Sequence, residues 1–160
     1  MFNRILVAVD GSDYSRLVIP TALEVARKFH SEAFVLHVSE HDRGRAAVYS
    51  TETPAEATRL VADAVKAFTD LGLPASGEVH DVAAGHVAKN IVDTADLLRS
   101  ELIVMGSRGL SDVQGILLGS VTHKVMQLAQ IPVLVAKGPI PVKVKEPELE
   151  AASIKGFATV

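Results

Sequence analysis

The sequence predicts an α/β fold: a three-layer α/β/α sandwich built on a five-stranded parallel sheet. Five short apolar runs alternate along the chain with four segments whose apolar residues recur at helical spacing. The runs at 5–9 and 102–105 are uninterrupted, which is typical of strands buried on both faces. Strands that alternate with helices are joined by right-handed crossovers, and these place helices on both sides of a parallel sheet.

The five predicted strands span residues 5–9, 33–38, 76–82, 102–105 and 131–136. The third strand alternates polar and apolar residues, so we expect it at an edge of the sheet, and we also expect the fifth at an edge. Pro132 is compatible with the first residues of the fifth strand. Residues 39–53 are polar and lack periodicity, so they form the longest and most mobile predicted loop.

Four helices are predicted between these strands. Ser12 is expected to cap the first helix, and Pro20 inside it is expected to bend it. The second helix begins with a capping box, in which Thr53 is the N-cap, a proline follows, and Glu56 is the reciprocal partner. The third predicted helix spans 87–98, and the fourth begins at Gly119 and Ser120.

Composition narrows the class of protein. A chain of 160 residues with 48% hydrophobic residues fits one globular domain. The formal net charge of -3 indicates neither a nucleic-acid-binding surface nor a polybasic membrane patch. The absence of cysteine excludes disulfides, thiol nucleophiles and cysteine-ligated metals. No apolar run is long enough for a signal peptide core or a membrane span, so we expect a soluble cytoplasmic protein.

The chain changes character after residue 137. Three prolines and a charged stretch follow, and the alternation of strands and helices stops. We therefore expect a domain over residues 1–137 and a loosely held C-terminal tail over residues 138–160.

One loop carries the chemistry. Glycines stand at positions 106, 109, 115 and 119, and Ser120 follows the last of them. Glycine leaves backbone N–H groups uncovered, and successive N–H groups beside a helix N-terminus form a site for an anion such as a polyphosphate. The alternative is that the glycines serve only tight turns. The loop has no Walker lysine, and no G-x-G-x-x-G follows the first strand, so neither an ordinary P-loop nor a dinucleotide site is indicated.

The spacing of these glycines, G-x2-G-x9-G-S, resembles the ATP-binding pattern of the universal stress protein family. Further segments are similar to that family: residues 5–12, 36–38, 102–109 (LIVMGSRG), 116–122 (ILLGSVT) and 132–135 (PVLV). The resemblance extends over residues 1 to about 137 and is strongest in the last third. It implies a Rossmann-like fold of the adenine nucleotide alpha hydrolase type.

The resemblance also implies a pose for ATP. Asp10 is implied to contact the ribose or, through a cation such as Mg²⁺, the phosphates. The backbone of Val38 is implied to read the adenine edge. The other implied nucleotide-binding residues are Ala8 and Val9 at the end of the first strand, Met105, Gly106, Ser107, Arg108 and Gly109 in the ribose and phosphate loop, and Gly119, Ser120 and Val121 at the terminal phosphate.

Several of these residues have a plainer interpretation. Asp10 is also suited to capping the turn into the first helix, and Arg108 is either a phosphate ligand or a solvated loop arginine. His37 is interpreted as a hydrogen-bonded structural histidine. The histidines do not stand at metal-ligand spacings, so no metal site is predicted, and no catalytic set is identified.

The resulting hypothesis is a regulatory stress-response module that binds ATP or a related adenine nucleotide and hydrolyses it slowly at most. Two alternatives stay open: a protein-interaction module with an empty pocket, and a slow ATPase or phosphotransferase. An exposed apolar fifth strand needs cover, and pairing with its copy supplies it. The resemblance likewise implies a homodimer through this strand, and a regulatory role implies a protein partner of unknown identity.

Overall fold

The computed structural model describes residues 1–12, 15–41, 52–107 and 118–137. These residues form five strands and four helices in strict alternation. In chain order they are β1 (Arg4–Val9), α1 (Ser15–Phe29), β2 (Glu32–His41), α2 (Pro54–Thr69), β3 (Ala75–Ala83), α3 (Val87–Leu97), β4 (Leu102–Gly106), α4 (Ser120–Leu128) and β5 (Val133–Ala136).

The strands form one parallel sheet in the order β3-β2-β1-β4-β5. The predicted α/β fold is therefore confirmed, with β3 and β5 at the edges as expected. The chain runs outward from β1 to β2 and β3, and then returns to the other side of β1 for β4 and β5. Strand order thus reverses between β1 and β4, and in open α/β sheets ligands bind outside the carboxyl ends of the strands at such a point.

Alternating side chains of the sheet build two separate cores. Ile5, Val7 and Val9 of β1 pack with α1 and α2 on one face. Leu6 and Ala8 pack with α3 and α4 on the opposite face. The sheet is thus covered on both sides, which explains why its central strands read as continuous apolar runs.

Two predicted strand boundaries differ from the structure by more than one residue. Strand β2 continues to His41, so residues 39–41 are not part of a loop, because each of them pairs with a residue of β3. Strand β5 begins at Val133 rather than at residue 131. Pro132 has no N–H for the ladder, although its carbonyl oxygen still accepts from the Ile103 amide at 3.0 Å.

The starts of α2 and α1 were both predicted from capping residues. The capping box is confirmed: the Thr53 hydroxyl accepts from the Glu56 amide, and the Glu56 carboxylate accepts from the Thr53 amide. The prediction that Ser12 caps α1 is wrong. Helix α1 begins at Ser15, and the Ser12 hydroxyl instead donates to the carboxylate of Asp10 at 2.6 Å. No helix in the described segments is long and apolar enough to cross a membrane.

Candidate nucleotide site

The sheet register brings the predicted site residues of three strands to one level. Ala8 of β1 pairs with Met105 of β4, so the carboxyl ends of these two strands lie side by side. Val9 pairs with His37 of β2, and the next residues, Asp10 and Val38, therefore lie level with each other. The register thus assembles the predicted adenine, ribose and strand-end positions at the point where strand order reverses.

One face of the sheet at this edge is apolar. Ala8, Val38 and Val121 are half-buried and pack with the buried Met105 in the core that α3 and α4 share. Val9 differs from them because its side chain is buried on the opposite face, towards α1 and α2. Only the backbone of Val9 is therefore placed to take part in a site on the α3 and α4 side.

Two hydrogen bonds join the two ends of the glycine-rich loop, and a third joins the start of the loop to β5. The Gly119 amide donates to the Ser107 carbonyl oxygen at 2.8 Å, and the Ser107 amide donates to the Ala136 carbonyl oxygen at 3.0 Å. The buried hydroxyl of Thr122 donates to the Gly106 carbonyl oxygen at 2.8 Å. The loop thus leaves β4 and enters α4 at neighbouring points, although its glycines stand far apart in sequence.

These bonds also change the expected donors. The sequence predicted that amides of this loop face outward to bind an anion. The amides of Ser107 and Gly119 instead donate to backbone carbonyl oxygens and hold the loop in place. Residues 108–117 lie outside the described residues, and with them the predicted ligands Arg108 and Gly109. The remaining predicted phosphate donors are the first-turn amides of α4, which have no acceptor within the helix, and the exposed Ser120.

Asp10 carries out the turn role that the sequence left open. One of its carboxylate oxygens, Oδ1, accepts from both the amide and the hydroxyl of Ser12, at 3.1 and 2.6 Å. The side chain is half-buried at the end of β1. A carboxylate offers several acceptor positions, so this turn is compatible with a further role towards a ligand.

His37 is buried and fully hydrogen-bonded, which confirms its interpretation as a structural histidine. Its ring Nδ1 lies 2.8 Å from the Val9 carbonyl oxygen, and its Nε2 lies 2.6 Å from Oε2 of Glu52. Glu52 was not predicted as the partner of His37. Its position next to the N-cap of α2 marks a helix start, but no local pattern indicates a contact with β2.

Two carboxyl groups with lowered pKa values lie at a helix cap and next to a strand start. The Thr53 backbone and hydroxyl lower the pKa of Glu56 by hydrogen bonding. The side chain and backbone of Asn3 lower the pKa of Glu101 in the same way. Glu56 is exposed and Glu101 is half-buried, and both carboxylates accept hydrogen bonds that hold secondary structure in place.

A cavity lies on the other face of the sheet. It has a volume of about 280 Å³ and is mainly apolar. Its lining residues come from the end of β1, α1 and α2: Val9, Gly11, Ser12, Ile19, Leu60, Asp63 and Ala64. This cavity was not predicted, and it is separate from the apolar face formed by Ala8, Val38 and Met105. Within the described ranges, no group of three or more His, Asp or Glu side chains is placed to hold a metal.

The topology defines a doubly wound α/β protein whose strand order reverses between β1 and β4. The model of the universal stress protein family matches residues 1–137, and the chain belongs to this family. It is 33% identical over 156 residues to universal stress protein YxiE of Bacillus subtilis, a match that covers 86% of this chain and 100% of that protein.

Solved structures of the family share the fold. A universal stress protein from Archaeoglobus fulgidus superposes with a TM-score of 0.66 at 26% identity, covering 86% of this chain and 100% of the other. A universal stress protein structure from Archaeoglobus fulgidus in complex with dAMP gives a TM-score of 0.64 at 27% identity, covering 85% and 98% of the two chains.

Proposed function

We propose that this universal stress protein binds an adenine nucleotide, with ATP as the first candidate, at the carboxyl edge of β1, β2 and β4. One observation carries the proposal. The hydrogen bond between the Gly119 amide and the Ser107 carbonyl brings Gly119 beside the end of β4, at the edge of the sheet where strand order reverses.

Each part of the nucleotide has a suitable neighbour at this edge. The adenine lies on the apolar face formed by Ala8, Val38 and Met105, with the Val38 backbone reading its edge. The ribose hydroxyls donate to Asp10, whose negative charge disfavours direct contact with a phosphate. If Mg²⁺ accompanies the nucleotide, the same carboxylate supplies an oxygen ligand of the kind that this ion prefers.

The phosphates approach the N-terminus of α4. Gly119 is the N-cap of this helix, has an extended backbone, and carries no capping side chain. A helix start without a side-chain cap leaves its first amides available to an anion, and the helix dipole favours negative charge there. In this proposal Arg108 and Gly109 complete the contacts to the ribose and phosphates.

The dAMP complex of the Archaeoglobus fulgidus protein supports the ligand class. The triphosphate is our extension from the length of the glycine motif. We further propose a regulatory role in the cytoplasm, in which nucleotide occupancy is read by a protein partner, and a homodimer that pairs through the edge strand β5. Hydrolysis in this scheme is slow at most.

The test begins with the purified protein. Mass analysis of small molecules released on denaturation is expected to detect an adenine nucleotide, and calorimetric titration of the emptied protein is expected to show ATP binding. Protein that carries no nucleotide and does not bind ATP supports the alternative of a nucleotide-independent interaction module. Steady-state phosphate release close to that of an ordinary kinase or ATPase would instead support an enzyme.

Gly119→Val is the matched variant. Gly119 has φ -66° and ψ 155°, a conformation that valine adopts readily, so the variant is expected to fold. The new side chain stands at the start of α4 where the phosphates are proposed to bind, and measurable ATP binding is expected to be lost. Gly119→Ala, with a smaller side chain, is expected to lose less. Unchanged ATP affinity in a folded Gly119→Val protein contradicts the proposed placement of the phosphates.

A further inference from the structure

His37 occupies an unusual position between two acceptors. The ring is 3% exposed, and Nδ1 lies 2.8 Å from the Val9 carbonyl oxygen, which can only accept a hydrogen bond. Nε2 lies 2.6 Å from a carboxylate oxygen of Glu52, which is also an acceptor when it is ionised. A neutral imidazole has one N–H and one lone pair, and it satisfies only one of these contacts as a donor.

A doubly protonated ring satisfies both contacts. The imidazolium donates from Nδ1 to the Val9 carbonyl and from Nε2 to Glu52, and the buried positive charge is paired with a carboxylate. The Ser39 hydroxyl lies 3.4 Å from Nε2 and is a secondary neighbour. An ionised Glu52 carboxylate is therefore a suitable acceptor for a second ring proton.

The Val9 carbonyl connects this pair to the candidate site. Val9 C=O and the Asp10 N–H belong to the same peptide group, and in a trans peptide they point in opposite directions. The Val9 carbonyl points towards β2, where the paired strand and the His37 ring both lie, so the Asp10 amide is turned towards β4. The ring thus adds a side-chain hydrogen bond to the peptide that precedes the proposed ribose ligand.

Glu52 ties the same peptide to α2. It stands immediately before Thr53, the N-cap of that helix, and is separated from His37 by 15 positions along the chain. The pair therefore joins the end of β1, the middle of β2 and the start of α2 on the face opposite the proposed nucleotide. The contacts of His37 with Val9 and with Glu52 each join different parts of the fold.

We propose that Glu52 holds His37 in its doubly protonated form and that the ring, because it is held, is a positioning residue for the Val9–Asp10 peptide in nucleotide binding. This inference rests on the proposed function, and it adds a residue pair that does not touch the nucleotide. Two other described histidine–carboxylate pairs, His41–Asp81 and His80–Glu78, have partners that are more than half exposed. The His80–Glu78 pair thus supplies a matched control.

The first measurement is made on the wild-type protein, and a variant serves only to assign the resonances. In the full chain labelled with ¹⁵N-histidine and free of nucleotide, long-range proton–nitrogen correlation spectra at neutral pH distinguish protonated from unprotonated ring nitrogens. We expect both nitrogens of His37 to carry protons, with the resonances assigned by their loss in His37→Gln. An unprotonated Nε2 in the wild-type protein overturns the proposal.

The second measurement compares ATP affinity among Glu52 variants. Glu52→Gln replaces the acceptor with an amide that can donate to Nε2, so the ring loses its second proton, keeps its bond to Val9, and retains near-wild-type affinity. Glu52→Ala removes the partner and is expected to weaken ATP binding on the order of tenfold, which corresponds to about 1.4 kcal/mol. Glu78→Gln on the exposed pair is expected to change nothing.

The outcomes separate the two proposals. A wild-type protein that binds no adenine nucleotide refutes the proposed function and this inference together. If the wild-type protein binds ATP and a folded Glu52→Ala binds it equally well, only the positioning role is refuted, even if the thermal stability of that variant is lower. If Glu52→Ala does not fold, the protonation state of His37 in the wild-type protein decides.

Discussion

Replacing Thr122 by valine tests the junction between β4 and α4. The Thr122 hydroxyl is 2.8 Å from the Gly106 carbonyl oxygen, and the residue is 3% exposed. Valine has nearly the same shape but no donor, so it removes this hydrogen bond without opening a cavity. It also leaves the Gly106 carbonyl oxygen without this donor.

The expected cost follows from those two effects. A typical hydrogen bond contributes about 0.5–1.5 kcal/mol net, and a buried polar group that loses its partner costs about 1–3 kcal/mol. We expect Thr122→Val to lower the free energy of unfolding by about 1–2 kcal/mol, since Gly106 is only half-buried and part of the loss is recovered from water. For a domain of this size, each kcal/mol lowers the Tm by roughly 3–4 °C.

Urea denaturation and a thermal scan measure this change, and ATP titration measures its effect on the site. Thr122→Ser is the matched control because it keeps the hydroxyl and removes only a methyl group. We expect the serine variant to retain most of the ATP affinity, and the valine variant to bind ATP more weakly because the start of α4 is no longer fixed to β4. A valine variant as stable as wild type, or more stable than the serine variant, refutes this account of the junction.

Three further predictions concern other parts of the fold. Gly77→Ala is expected to destabilise the protein by about 1–3 kcal/mol in urea denaturation, because a Cβ there meets the Val35 carbonyl oxygen at 2.7 Å. Hydrogen bonds from Thr53 lower the pKa of Glu56 in the folded protein, so the unfolded chain binds more protons than the folded chain as the pH falls through the unfolded pKa. Stability from this capping box is therefore present above the unfolded pKa and is lost in acid, and Glu56→Gln is expected to flatten that part of the pH profile. A chain that ends at Lys137 is expected to fold, and both this chain and the full chain are expected to elute as dimers in gel filtration.

Each of these predictions has a clear opposing result. Ser76→Ala, an exposed change on the same strand, is the control for Gly77→Ala, and equal stability of the two variants contradicts the packing argument. Identical acid profiles for wild type and Glu56→Gln exclude a contribution from the capping box. A truncated chain that elutes as a monomer assigns the dimer contacts to residues 138–160 instead of β5.

The fold was predictable because its signals are local and repeated. Continuous apolar runs identified the central strands, and the Thr53–Glu56 pattern identified the start of α2. The boundaries that failed depend on partners distant in sequence. Residues 39–41 look like a loop on their own, and only the ladder with β3 makes them strand. Ser12 has the chemistry of a helix cap, but α1 begins only at Ser15.

The candidate site was predictable to a lesser extent. The motif located Gly106 and Gly119, and the register brings the strand-end residues together as the topology requires. The sequence did not indicate that the Ser107 and Gly119 amides hold the loop rather than a ligand, because hydrogen-bond direction is a property of the folded backbone. It also gave no indication of the contact between His37 and Glu52, which joins two elements across the longest predicted loop.

The junction of β4 and α4 has an evolutionary consequence. Since Ser107 and Gly119 are bonded to each other, the segment between them is anchored at both ends by the scaffold. Closure entropy grows slowly with length, by about 0.6 kcal/mol for each doubling of a flexible loop. Insertions, deletions and exchanges within residues 108–117 are therefore expected to change the stability of the sheet and helices little. The proposed ligand preference can then change without changes in the sheet.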